Sequence, residues 1–388
     1  MVPPLNGARV VLVNWRDRGH PLAGGAEEYA ARMADAMTAA GATVTFLTAR
    51  GKGQDAGDGT TVRRGGRWTV YLWALLWLFR NRRRVDVVVD CQNGIPFFSP
   101  LVVSRRTKVV LVMHHVHDKQ FDVHFPPWLA RIGRWLEGPA ARWVYRRAMT
   151  VAVSESTVRA MRERLAWRGP ISVVHNGMDQ PAKAESERSV HPSIVCLGRL
   201  VTHKRVDRLI DIVGEMLPDW PTLRLHVIGT GPEEAELRSL AARFGDAVVV
   251  HGFVDDETKA ALLRNSWLNV TLSDGEGWGL AVIEAAAHGL PTVCRRVDGL
   301  CDSVRHGETG WLVGPDDDVK GALHDTLKLL SRPEEAEIVA KACRDWAARF
   351  DWVSSGHRFV AVVTDLLYSS EPGRANGPTP QEDLCDAR

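Results

Sequence analysis

Four short segments of this 388-residue chain combine charge, glycine and histidine in ways that suit a phosphorylated, hydroxyl-rich ligand. The first is Gly198-Arg-Leu-Val-Thr-His-Lys204, where Arg199 and Lys204 bring two cations to the start of a helix. Such a pair can balance a diphosphate without a metal, and a departing nucleoside diphosphate needs that balance in the transition state. A solvated basic helix start would read the same way. The second is Ser273-Asp-Gly-Glu-Gly-Trp-Gly-Leu-Ala-Val-Ile-Glu284. Glu276 sits in a glycine-rich loop, and Glu284 follows about one turn into a helix beginning near Leu280. Two carboxylates so placed can accept hydrogen bonds from vicinal hydroxyls, and the glycines let backbone N–H groups approach the ligand. The third is Met113-His-His-Val-His117, at the end of an apolar strand. Clustered histidines suggest a metal, but His114 and His115 point to opposite sides if the strand continues, and no carboxylate or cysteine completes a set. A substrate-contacting histidine is the preferred reading, with a structural one as the alternative. The fourth is Ala23-Gly-Gly-Ala-Glu27, where glycines and a helix start offer a phosphate close backbone approach. It is neither a GxGxxG nor a Walker loop, and a plain tight turn would also explain it.

These segments need a scaffold, and the sequence supplies one twice. Arg9–Val13 predicts a buried strand, residues 26–40 a helix with Ala26, Tyr29, Met33, Ala36, Met37 and Ala40 on one face, and Val44–Thr48 a second strand. Further strands are predicted at Val85–Asp90, Val109–Met113, Thr150–Val153 and Ile171–His175, giving five to six in this half. A polar, aperiodic stretch over 179–192 reads as a linker. Strand–helix alternation then resumes at Ile194–Leu197, Leu223–Ile228, Val248–His251, Leu268–Leu272, Thr292–Cys294 and Trp311–Val313. This is the pattern of parallel sheets wrapped by helices, whose ligands sit beyond the carboxyl ends of the strands. Asp316-Asp-Asp318 precedes a helical run and reads as a helix N-cap rather than a metal motif. The residues from Ser369 to the end, rich in proline, glycine and charge, are expected to be disordered.

Charge is nearly balanced overall, 49 basic against 47 acidic residues, which gives no argument for a nucleic-acid partner. It is uneven locally: residues 60–84 carry seven arginines and no acidic residue. The six cysteines form no CxxC pair and read as free thiols of a reducing compartment. With no secretory signal and no apolar run long enough to span a bilayer, the expected location is cytoplasmic.

Taken together, Gly198-Arg-Leu…Lys204 and Glu276-Gly-Trp-Gly-Leu…Glu284-Ala resemble the donor-site signature of the family 4 glycosyltransferases, which have the GT-B fold. Gly24-Gly-Ala-Glu27, Ser154-Glu-Ser156, Asn176-Gly-Met-Asp179, Gly229-Thr-Gly-Pro232 and Val249-Val-His-Gly-Phe253 fall where that family has them, so the resemblance spans roughly residues 8–365. It implies an α/β architecture of two Rossmann-like doubly wound domains facing a central cleft. The acceptor-side domain would cover residues 1–180 and the donor domain 190–352, with a helix at about 353–368 packing back on the first. It further implies that Arg199 and Lys204 hold the donor diphosphate, Glu284 the ribose hydroxyls and Glu276 the hydroxyls of the transferred sugar. Backbone at Gly277, Trp278, Gly279 and Leu280 would assist. Gly198 and Gly231 would shape the donor turns, Gly25 would approach a phosphate or the acceptor, and Phe253 and Val254 would flank the base. His114 would lie near the sugar, with Gly24, His115 and His117 on the acceptor side. Trp278 replaces the family's usual phenylalanine, and His115 stands where the family has aspartate or glycine, which leaves the choice between His114 and His115 open.

The implied activity is metal-independent, cofactor-free transfer of a hexose-type sugar from a UDP- or GDP-linked donor to an acceptor hydroxyl, with retention by front-face attack. The acceptor would be a small molecule of the secondary-metabolite or aminocyclitol kind, or a cell-envelope glycan or lipid. A nucleotide-sugar epimerase, a glycan synthase or phosphorylase, and a non-catalytic sugar-nucleotide-binding protein are the competing classes. Arg67-Trp-Thr-Val-Tyr-Leu-Trp-Ala-Leu-Leu-Trp-Leu-Phe-Arg-Asn-Arg-Arg-Arg84 adds a choice. It reads first as a helix packed on the sheet, with basic residues suiting its dipole, and second as a weak peripheral contact with an anionic membrane.

Overall fold

A computed structural model describes residues 5–20, 23–51, 54, 55, 57, 59–118, 121, 125–181 and 188–368. The tail expected to be disordered from Ser369, and part of the expected linker, lie outside these residues. The chain forms two compact units, one made of the residues up to Gly177 together with those from Trp352, the other of Met178–Asp351.

The first unit runs β1 (Arg9–Val13), α1 (Gly25–Ala39), β2 (Thr43–Thr48), β3 (Thr61–Arg63), α2 (Thr69–Asn81), β4 (Val87–Gln92), β5 (Lys108–Met113) and α3 (Pro127–Trp135). A π turn (Leu136–Ala140), α4 (Ala141–Val144), β6 (Met149–Ala152), α5 (Glu155–Arg164) and β7 (Ile171–Val173) follow. The strands form one parallel sheet in the order β3-β2-β1-β4-β5-β6-β7. β4 is buried at all six residues, as a central strand covered on both faces must be. On one face, Val70, Ala74 and Leu78 of α2 join Ala141, Tyr145, Ala160 and Met161 in a single core with Val11, Val13, Val88, Leu111 and Met113.

The second unit runs β8 (Ser193–Leu197), α6 (Val206–Met216), β9 (Arg224–Ile228), α7 (Glu234–Ala241), β10 (Val248–Gly252), α8 (Asp256–Asn265), β11 (Leu268–Thr271) and α9 (Leu280–Ala287). It is completed by β12 (Thr292–Arg295), α10 (Leu300–Ser303), β13 (Gly310–Val313), α11 (Val319–Leu330) and α12 (Pro333–Ala347). Its parallel sheet has the order β10-β9-β8-β11-β12-β13. The last helix, α13 (Trp352–Tyr368), belongs to the first unit, where Phe359 and Trp352 meet the ring of Tyr29 on α1. Gly356 lets it lie close: a Cβ there would sit 2.7 Å from that of Ala36.

Both sheets share the doubly wound logic of the GT-B architecture. Strand order reverses between β1 and β4 in the first and between β8 and β11 in the second, and loops leaving such neighbours in opposite directions open a crevice.

One expectation is corrected and two are refined. The first sheet has seven strands rather than five or six. The missed strand, Thr61–Arg63, is a three-residue edge element inside an arginine-rich run, too short to show alternation. Asp318 stands at the N-cap of α11 but makes no side-chain cap bond. Asp317 instead takes the N–H of Gly314 at 2.6 Å, so this aspartate run ties the preceding loop. The helix within residues 67–84 spans only Thr69–Asn81.

Candidate functional site

Gly198 leaves β8 with φ 155°, and Arg199 follows it exposed. The Gly198 N–H donates to Ile228 O and the Leu200 N–H to Thr230 O, so the turns after β8 and β9 run side by side. They touch backbone to backbone. A Cβ on Gly229 would lie 1.9 Å from Gly198 O, and one on Gly231 2.1 Å from Leu200 O. Only glycine permits that approach. Among the described residues the Arg199 guanidinium has no hydrogen-bond or ion-pair partner.

The loop after β11 meets this turn. The Asp274 N–H donates to His203 O at 2.8 Å, and the Lys204 ammonium lies against Glu276 Oε1. Ser273 Oγ donates to the same carboxylate at 2.9 Å. Burial alone would push the Glu276 carboxyl up, but the Lys204 charge and hydrogen bond, with Ser273 and His203 behind them, hold it below the usual range. Gly279 caps α9 with φ 89°, and Gly299 packs under the loop, where a Cβ would come within 2.5 Å of Glu276 O.

Glu284 pairs with Lys259 of α8 at 2.8 Å, and Lys259 also reaches Asp256 at 2.9 Å. Burial opposes the Lys259 charge, yet Glu284 and Asp256 outweigh it and raise its pKa. Just before α8, Phe253 is 84% exposed. Val254 packs on a core containing Val195, Ile228 and Ala285 of α9, so the Phe253–Val254 step and Glu284 are anchored to one cluster.

Thus the second unit brings together Gly198, Lys204, Gly231 and Glu276 at the carboxyl edge of β8, β9 and β11, with Arg199, whose guanidinium has no partner among the described residues, beside them. Val254 packs on a second cluster that includes Leu263 of α8 and Ala285 of α9, the residue after Glu284. The Trp278 indole is different: it is 3% exposed and meets Phe350 edge-on at 4.9 Å, so this side chain packs while its backbone shapes the loop. Leu280 is the first residue of α9.

In the first unit, Gly24 is the N-cap of α1 and Gly25 its first residue. The Gly24 N–H donates to Glu27 Oε2 at 2.7 Å, and Arg16 Nε donates to the other oxygen of this buried carboxylate at 3.1 Å. His114 is buried edge-on to Tyr29, ring centres 5.2 Å apart, and its Nε2 has no partner among the described residues. Burial, then the charge of His117, pushes its pKa down to about 3, so the ring is neutral near pH 7. His115 is half-buried and stacks edge-on with His117 at 5.2 Å. His117 is engaged elsewhere, its backbone N–H donating to the buried Glu137 Oε1 at 2.7 Å and its Nδ1 lying 3.4 Å from that oxygen.

Three residues of interest carried no motif. Lys259 is one. Asn14 and Asn93, which directly follow β1 and β4 beside the strand-order reversal, are joined by an Asn93 Nδ2 to Asn14 Oδ1 bond of 2.9 Å. Asn14 Nδ2 is buried without a partner among the described residues. Asparagine directly after an apolar strand at the reversal is the signal that could have found them.

Family models match both halves of the chain. Residues 23–180 match the description Glycosyltransferase Family 4 and residues 180–346 the description Glycosyl transferases group 1. A sulfoquinovosyl transferase of Arabidopsis thaliana is 25% identical over 292 residues, which cover 70% of this chain and 55% of that protein. An alpha-D-kanosaminyltransferase of Streptomyces kanamyceticus is 26% identical over 327 residues, covering 76% of this chain and 83% of the other. Among solved structures, a sucrose-phosphate synthase from Thermosynechococcus elongatus superposes with a TM-score of 0.76 at 19% identity, over 94% of this chain and all of that one, a likeness of fold.

Proposed function

Since the chain belongs to the family 4 glycosyltransferases and so takes its sugar from a nucleotide-sugar donor, we propose that it moves a hexose-type sugar from a UDP- or GDP-linked donor to an acceptor hydroxyl with retention of anomeric configuration. The observation that carries this reading is the pair of backbone-packed glycine turns after β8 and β9, with the exposed Arg199 beside them and Lys204 resting on Glu276.

In this reading the diphosphate occupies the glycine turns. Arg199 meets it directly, and Lys204 turns from Glu276 toward the phosphate oxygens, freeing Glu276 to accept hydrogen bonds from the sugar. Charge accumulates on the leaving diphosphate as the glycosidic bond lengthens, so the two cations act mostly in the transition state. The leaving phosphate oxygen takes the proton of the acceptor hydroxyl as that hydroxyl attacks the same face, which retains configuration and needs no metal. Glu284 accepts from the ribose hydroxyls once Lys259 shares it, and Phe253 with Val254 flanks the base. His114, neutral and with Nε2 without a partner among the described residues, is the first-unit side chain assigned to the substrate in this reading, with Gly24, Gly25 and His115 on the acceptor side; His117, held by Glu137, orients the segment instead. The acceptor is a small hydroxylated molecule or a cell-envelope glycan or lipid.

The test is incubation with radiolabelled UDP-, GDP- and dTDP-sugars, with and without candidate acceptors, beside thermal shifts with the same donors. Acceptor-dependent release of nucleoside diphosphate supports transfer. Interconversion of the donor sugar without acceptor would make the protein an epimerase, and binding without turnover over an acceptor panel a non-catalytic binder.

A further inference from the structure

α2 is apolar on two opposite sides. Val70, Ala74 and Leu78 enter the core. Leu72, Leu76 and Phe79, which lie on the other side by the 3.6-residue period, are 74%, 46% and 50% exposed. A helix that is apolar all round is ordinarily covered all round, and among the described residues this stripe is not. The helical run Pro127–Val144 repeats the arrangement. Ala130 and Gly133 are buried, whereas Trp128, Ile132 and Trp135, spaced to share a face, are 67%, 45% and 58% exposed. The carboxyl end of that run carries Ala141 and Tyr145 into the same core as α2, so both elements cover one side of the sheet.

The charged residues of the segments that carry these stripes are mostly cationic. Residues 64–106 and 125–147 contain thirteen arginines and three acidic residues. Of the three, Asp90 and Glu137 are fully buried, and Asp86 is paired with Arg9. Several arginines stand over exposed rings: Arg67 over Trp68 at 5.0 Å, Arg82 over Phe79 at 4.2 Å and Arg146 over Trp143 at 5.2 Å. Tryptophan and leucine bordered by arginine is the composition that settles at the headgroup boundary of an anionic bilayer, rings and aliphatic tips in the acyl layer and guanidinium groups on the phosphates. Two such faces from two copies would repel each other, which argues against self-association. No described helix is long and apolar enough to cross a membrane.

We propose that the face formed by α2 and the helical run Pro127–Val144 docks this protein onto the surface of an anionic lipid bilayer. The proposal goes beyond glycosyl transfer and stands or falls independently of it.

The experiment is flotation of the full chain with vesicles of phosphatidylcholine alone or with 30% phosphatidylglycerol added, roughly that fraction making the surface strongly anionic, at about 0.1 and 0.5 M NaCl, which brackets the change in screening. Wild type is expected to float with the anionic vesicles, at least tenfold less with the neutral ones, and less at high salt. The Leu72→Asp/Leu76→Asp variant, altered only at exposed positions, should lose at least tenfold in partitioning while keeping the wild-type melting temperature and nucleotide thermal shift. Absence of wild-type flotation at low salt overturns the proposal, as does equal flotation of the variant. Sedimentation showing a dimer that the variant dissolves, or a shift with duplex DNA or RNA that outcompetes vesicles, would assign the face to another partner and overturn it too. A failed flotation with intact donor shifts leaves the transfer reading untouched, and the reverse result leaves the docking face untouched.

Discussion

Replacing Lys204 with methionine separates the two jobs this account gives its ammonium. In the structure Lys204 lies on Glu276, and Ser273 Oγ is the other donor to that carboxylate at 2.9 Å. The two charged side chains are 20% and 17% exposed. Removing one partner of an exposed pair costs about 1 kcal/mol or less, and of a fully buried pair about 3–5 kcal/mol, so this intermediate case should cost about 2 kcal/mol. For a unit of 150–250 residues that is a fall of roughly 4–8 °C in Tm. Glu276→Gln should cost less, because a neutral amide tolerates the site. The double variant should be more stable than the sum of the singles by about 1–2 kcal/mol, as groups in contact usually are. Turnover should fall further than stability, by roughly 100- to 1000-fold for the loss of one transition-state cation. The sign with pH is fixed as well. The folded-state pKa of Glu276 is depressed, so its contribution is present above the unfolded value and is lost as pH falls through the folded one. The gap in Tm between wild type and Lys204→Met should therefore narrow as pH is lowered from 7 to below 4, the usual carboxylate range. Calorimetry across pH, with donor turnover, makes the measurement. Additive single variants and an unchanged gap would show that the pair does not form, and an unchanged kcat would remove Lys204 from the chemistry.

Gly231→Ala should lower both Tm and nucleotide affinity, because its Cβ would press within 2.1 Å of Leu200 O and force the two turns apart; a loss of 1–3 kcal/mol is the ordinary scale of such overpacking, read by thermal melting and isothermal titration. His114 has a pKa near 3 in the fold against about 6.5 unfolded, so its contribution to stability is whole above 6.5 and falls away as pH drops below it. His114→Asn should flatten that part of the Tm–pH curve, and a rate profile above pH 5 should carry no limb from this ring. Phe253→Ala, at an 84% exposed position, should leave Tm unchanged and weaken nucleotide binding about two- to tenfold, the worth of one aromatic contact; nucleotide titration decides it. Trp278→Ala should destabilise by about 3–5 kcal/mol, since this ring fills core against Phe350, and Trp278→Phe should be mild in a denaturant melt.

Much of the second unit was legible because its chemistry sits on local signals. A glycine directly after an apolar strand, as at Gly198 and Gly229, marks a turn that needs backbone close to something, and here the something includes a second turn. The positions of Lys204 and Glu276 followed from the loop and helix boundaries. That they touch did not, because their meeting depends on β8 and β11 being neighbours, which is a property of strand order. The Glu284–Lys259 pair was hidden for the same reason, arising from α8 packing beside α9. Trp278 was read with its loop, yet its indole turns inward between two glycines that leave the backbone free to do so. In the first unit the histidine cluster was visible but its division was not: burial against Tyr29 singles out His114, and the remote Glu137 claims His117. Asn14 and Asn93 carry no motif and meet only because the sheet order sets β1 beside β4. The strand Thr61–Arg63 was lost among arginines, since an edge strand need not alternate.

The most direct test of the central claim is calorimetric titration of wild type and Arg199→Met with a nucleoside and its diphosphate, using the base chosen by thermal shift. Arg199 is exposed and without a partner among the described residues, so the substitution should not disturb the fold. Wild type is expected to bind the diphosphate at least tenfold more tightly than the nucleoside, the equivalent of about 1.4 kcal/mol or more, and Arg199→Met to lose most of that preference. Equal affinity of wild type for the two ligands, or a preference unchanged in Arg199→Met, would contradict it.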